Sequence, residues 1–212
     1  MKKCLIACAL VLAAPVFVLA GDGHDHAKEK AGNAMAGHEM DGMSTDAMME
    51  EWAKMAAPGE HHKDLAYFAG NWTTKDKHWM GGPDAMETTG TASYEMVMGG
   101  RYLKYKYSSQ MMGQEFQGMG FTGWDNTKNM YWGTWMDNMS TGCMMSTGLP
   151  LDGSKGHEMT GTMNDPMMGG EVPYRMVTKI MDNNTFVLEM YMTPPGGEET
   201  KSMEITHTRV AS

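Results

Sequence analysis

"FVLEMYMTPPGGEETKSMEITHTR", residues 186–209, decides how this chain folds. In FVLEMYM, residues 186–192, Phe186, Leu188, Met190 and Met192 fall on one face and Glu189 on the other. In MEITHTR, residues 203–209, Met203, Ile205, His207 and Arg209 share a face, with Glu204, Thr206 and Thr208 opposite. Such alternation marks half-buried strands, because successive side chains of an extended chain point to opposite sides. Between the two runs stands PPGGEE, a turn signal with no room for a helix. Strands joined by so short a link are antiparallel neighbours.

The same pattern extends towards the N-terminus. TASYEMVM, residues 91–98, puts Tyr94, Met96 and Met98 on one face and Glu95 and Val97 on the other. Turn signals recur as GGPD (81–84), MGG (98–100), MMG (111–113), DNTKN (125–129), LDGSKG (151–156), NDPMMGG (164–170) and MDNNT (181–185). They divide the chain from Gly70 onward into about nine or ten strands with no intervening helix. The expected class is all-β, an antiparallel up-and-down meander. Closure into a barrel is preferred because it removes exposed edges; a two-sheet sandwich is the alternative.

Two helical segments precede the strands. In STDAMMEEWAKMAAPG, residues 44–59, Ser44, Thr45 or Asp46 can cap a helix that Pro58-Gly59 stops. Met48, Trp52 and Met55 share a face that is expected to dock on the barrel. EHHKDLAYF, residues 60–68, is expected to turn once more with Leu65 and Phe68 inward.

The chain opens MKKCLIACALVLAAPVFVLAGDG. Lys2 and Lys3, an apolar run and Val18-Leu19-Ala20 read as a signal peptide over residues 1–20, removed before Gly21. LIAC at 5–8 mimics a lipoprotein box, but too little apolar chain precedes Cys8. The remainder divides into a disordered Met/His-rich tail, 21–45, and a helix-plus-barrel domain, 46–212. The expected location is exported, periplasmic or extracellular. No later segment approaches the ~20 apolar residues that span a bilayer. Removing Lys2 and Lys3 takes the formal charge from −9 to −11 (−9 − 2). An acidic surface repels nucleic acid and anionic lipid, so neither is expected as partner. Cys143 remains alone, which precludes an intramolecular disulfide, and is expected to be a small buried residue.

Beyond residue 20, methionine outnumbers leucine, isoleucine and valine together, 27 against 12. On strand faces these methionines are expected to replace aliphatic core residues, since Met fills irregular gaps and favours aromatic contacts. In the tail burial cannot explain them. His24, His26, Met35, His38, Met40 and Met43 stand among carboxylates in GDGHDH and AMAGHEMDGM. Thioethers suit Cu(I) and imidazoles Cu(II), so copper is expected there rather than in the strands. His61-His62 is expected to divide into a surface residue and a local hydrogen-bond partner. His157-Glu158 is expected to be a solvated pair, and Asp137 and Asn138 to form an Asx turn.

Several segments together resemble a bacterial family designated domain of unknown function 1579: PGEHHKDLAYFAGNW, GGRYLKYKY, FQGMGFTGWDNTKNMYWGTWMDNMST, GTMNDP and MEITHTR. The resemblance spans roughly residues 48–209, and the run from Phe116 to Thr141 is its most specific part. It brings no established reaction. The chain departs from that pattern at His207, where an aromatic such as Tyr is expected. A looser resemblance is to lipocalin-like (calycin) barrels. These begin with a helical turn and a Gly-x-Trp, here Gly70-Asn71-Trp72, and end with an arginine over that tryptophan. The resemblance implies that Trp72 and Arg209 close the barrel. A related barrel group, the nitrobindins, ligates haem iron through a late-strand histidine. For His207, a core histidine bonded to a neighbour is preferred and haem is not expected.

No P-loop, nucleophile elbow, His-Glu-x-x-His or CxxC is present. The preferred reading is a non-enzymatic binding protein holding a small apolar ligand among Tyr94, Met96, Trp135, Met190, Met203 and His207. Metal handling through the tail, and an enzyme at the barrel mouth using His207 or Asp137, are the alternatives.

Overall fold

The computed structural model describes residues 44–165 and 168–211. The signal peptide and the tail as far as residue 43, with His24, His26, Met35, His38, Met40 and Met43, lie outside the described residues; Ser44 and Thr45, assigned to the tail, begin the first helix instead. Two helices come first, α1 (Thr45–Ala56) and α2 (Glu60–Ala66). Ten strands follow: β1 (Gly70–His78), β2 (Met86–Val97), β3 (Tyr102–Met111), β4 (Gln114–Asp125) and β5 (Met130–Asp137). The second half is β6 (Met144–Pro150), β7 (Gly156–Asp165), β8 (Gly170–Ile180), β9 (Thr185–Met192) and β10 (Thr200–Arg209). Each strand pairs antiparallel with its sequence neighbours, and β1 pairs with β10 to close the ring. The up-and-down barrel is the expected one; the sandwich is excluded.

Alternation puts the interior where the sequence placed it. In β1, Trp72, Thr74 and Asp76 are buried, while Thr73, Lys75 and Lys77 face out. In β9, Phe186, Met190 and Met192 are buried. Glu189 is tethered on the other face by Lys179 at 2.7 Å and Lys201 at 2.6 Å. Burial opposes its charge, yet the two lysines hold its carboxyl down at about 2.

One end of the barrel is plugged. Leu65 of α2, Phe68 and Trp72 are almost fully buried together with Phe186 and Tyr131. The Trp72 indole donates to the Phe68 carbonyl at 2.8 Å. The Arg209 guanidinium lies 4.1 Å over the Trp72 ring. It donates to the carbonyls of Ala69 (2.7 Å) and Tyr67 (2.6 Å). Trp72 and Arg209 are also direct partners across the closing strand pair. A planar guanidinium can do both at once, stacking by its face and donating from its edge.

Two features differ from expectation. Helix α1 is capped by Ser44, whose hydroxyl accepts from the Ala47 amide at 3.2 Å, but none of its residues is buried. Trp52 is 63 % and Met55 46 % exposed. Pro58-Gly59 turns the chain away, and the contact with the barrel is polar: Asn126 donates to the carbonyls of Met55 and Ala57. Cys143 is exposed rather than buried, because it lies in the β5–β6 turn.

Candidate functional site

Within the barrel lies a cavity of about 670 Å³. It runs from Phe68, Phe186 and His157 at the plugged end to Met80 and Met168, both exposed, at the other. Aromatic rings and thioethers make most of its wall. A Cβ at Gly120 would meet the Thr134 carbonyl and the Tyr105 ring, so glycine here lets Tyr105 lie across β4. Tyr105 thereby stacks on Trp135, with ring centroids 6.0 Å apart, and donates to the Thr134 carbonyl at 2.8 Å.

Of the residues chosen from sequence, Tyr94, Trp135, Met190, Met203 and His207 line this space. Met96 does not. It stands two residues along β2 towards the plug, where it packs against the cluster of Leu65, Phe68 and Trp72. His207 is 2 % exposed and stacks on Phe186 at 4.0 Å. Its Nε2 lies 3.2 Å from the Tyr94 hydroxyl, the neighbour bond expected of a core histidine, and its Nδ1 has no partner. Burial drives its pKa down to about 3. Burial pushes the Tyr94 phenol well above its ordinary range and Tyr105 up to about 12. These groups therefore present neutral, apolar-compatible faces.

His157 corrects a reading. It is buried beside Tyr131 and Phe68, not solvated, and desolvation lowers its pKa to about 4. The first inward position of β7 faces the plug, so a Gly-rich turn did not mean a wet side chain. Glu158 points outward to Arg175 at 3.1 Å. In α2, His62 is buried and its Nδ1 accepts from the Gly59 amide at 3.0 Å. His61 lies against Trp124, centroids 3.8 Å apart. Asp137 accepts from the Met139 amide and from the Trp135 indole, which makes it a turn residue.

Sequence reasoning missed a polar strip on β1. Asp76 is 1 % exposed; its Oδ2 accepts from Tyr107 (2.5 Å) and Thr88 (3.2 Å), and its Oδ1 has no partner. Thr74, Ser109 and His78 also carry unpartnered buried atoms. Counting by twos from Trp72 through Thr74 and Asp76 to His78 finds this strip in the sequence. Among the described residues no group of three or more His, Cys, Asp or Glu could hold a metal ion. Nor is any described helix long and apolar enough to cross a membrane.

The sequence pattern of one family, described as protein of unknown function (DUF1579), matches residues 57–209. The chain belongs to this family. The DUF1579 region thus starts just before α2 and ends with Arg209, leaving α1 outside. No curated protein matches the chain. Among solved structures, the chain is similar to Rv2717c from M. tuberculosis, at 9 % identity and TM-score 0.54. That match covers 73 % of this DUF1579 protein and all (100 %) of the other chain. A redesigned β barrel, mFAP0, bound to DFHBI, is similar at 11 % identity and TM-score 0.36, over 68 % of this chain and 99 % of that one. The first likeness speaks to the fold alone.

Proposed function

We propose that this DUF1579 protein is an exported, non-enzymatic binding protein that holds a small, largely apolar molecule inside its barrel. The observation that carries the reading is the cavity of about 670 Å³, walled by aromatic and methionine side chains. Ligand sites in proteins have volumes of about 300–1,000 Å³ and mostly apolar linings with a few polar groups that orient the ligand. Here Tyr94, Tyr107, His207 and His78 supply those groups. Export is supported by the N-terminal sequence. Metal handling by the tail, the rival role, is supported by residue types in the sequence alone.

The test uses N-phenylnaphthylamine, an apolar dye that brightens out of water. The full chain should bind it one to one. Leu188→Trp, which adds an indole to the cavity wall, should abolish binding while circular dichroism stays that of the barrel. Equal dye binding by a folded Leu188→Trp variant would put the dye on an outer surface and end the reading.

A further inference from the structure

We propose that Met176, Met190, Met203 and His78 form a binding site for one soft monovalent metal ion, Cu(I) or its analogue Ag(I), on the inner wall of the barrel. These residues occupy one level of four consecutive strands. Met176 pairs with Met190, Met190 with Met203, and Met203 with His78. Directly opposed residues have Cα atoms about 4.5–5.5 Å apart and project to the same face. All four line the cavity. Met176 and Met203 also pack against the cluster that contains Met190. Methionine elsewhere in the barrel replaces aliphatic residues, and Met159, next on this row, already accepts from the Ser146 hydroxyl through its sulfur. The other three end instead on an imidazole.

That imidazole is unfinished. His78 Nε2 is buried with no hydrogen-bond partner. Thioethers cannot donate, so the neighbouring methionines cannot satisfy a ring nitrogen that carries no proton, the form that ligates a metal. A metal ion can bind both. Charge supplies a third argument. Asp76 lies two residues along β1 on the same face, 1 % exposed, with Oδ1 unpartnered. Among the described residues no lysine, arginine or histidine forms an ion pair with it. A single positive charge on neutral sulfur and nitrogen donors would offset that carboxylate, and soft donors select Cu(I) over hard cations.

The test is a titration of the full chain, carrying ¹³C-methyl methionine, with Ag(I), followed by NMR. The methyl signals of Met176, Met190 and Met203 should shift together and saturate at one equivalent. Met203→Leu keeps volume and fold, and should weaken this event on the order of tenfold or more, as loss of even an outer partner of a metal does. Saturation of tail signals from Met35, Met40 and Met43 while the three barrel signals stay fixed would overturn the proposal. So would an unchanged affinity of the barrel event in Met203→Leu. Dye binding by the metal-free protein is a separate measurement, so failure of the metal site and failure of the apolar-ligand reading are distinguishable.

Discussion

Acidification should strip the barrel of stability through two histidines that face its cavity. Burial holds His157 at about 4 and His207 at about 3, against about 6.5 in the unfolded chain. Between those limits the unfolded chain binds protons that the folded one excludes, so stability falls as pH falls. The loss begins near 6.5 and stops growing below each folded value. From about pH 8 to about pH 5 each histidine should cost about 2 kcal/mol, and the pair about 4 kcal/mol. That is a large share of a domain stability of about 5–15 kcal/mol. Burial shifts His62 and His78 the same way, so they add to the fall. Urea unfolding followed by tryptophan fluorescence reads the effect. With a slope near 2 kcal/mol per molar, the pair alone should lower the midpoint by about 2 M. The double variant His157→Leu/His207→Phe should lose the pair's share of this pH dependence, whatever its absolute stability. An equally steep dependence in wild type and double variant would refute the assignment.

Arg209→Ala removes the guanidinium from Trp72 and leaves the carbonyls of Tyr67, Ala69 and Asn183 without this donor, so urea unfolding should show a loss of about 2–4 kcal/mol. Arg209→Lys should recover little of it, since an ammonium cannot stack and fork together. Gly120→Ala drives a methyl group into the Thr134 carbonyl and the Tyr105 ring; a melting experiment should show a loss of about 1–3 kcal/mol. The protein recovered from its native host should lie in the exported fraction with an N-terminus at Gly21; recovery from the cytoplasm with a start at Met1 would remove the export reading.

The barrel was legible because strand alternation and turn chemistry are local. Phe186, Met190, Ile205 and His207 could be assigned inward by counting alone. The same counting misplaced Met96, because parity tells which face a residue has, not how far along the barrel axis it sits. α1 deceived for a related reason: an apolar face at helical spacing says what could dock, and Pro58-Gly59 decides whether it does. His157 was misjudged because burial at the first residue of a strand depends on what plugs that end. The register joining Met203 to His78 is not local, because it arises from bringing the last strand against the first.

That closing strand has a consequence in time. Arg209 holds Ala69 across 140 residues of chain, and β10 supplies the whole of one seam, from Trp72–Arg209 to His78–Met203. Pairings so distant in sequence form late, because the entropy of the intervening loop must be overcome first. A ribosome still making β10 therefore carries a chain that has every hairpin but the last, and no lock. Until β10 emerges, the free edges of β1 and β9 remain open for another polypeptide to occupy. The completed ring ends that interval, and a tryptophan fluorescence trace during refolding would record its rate.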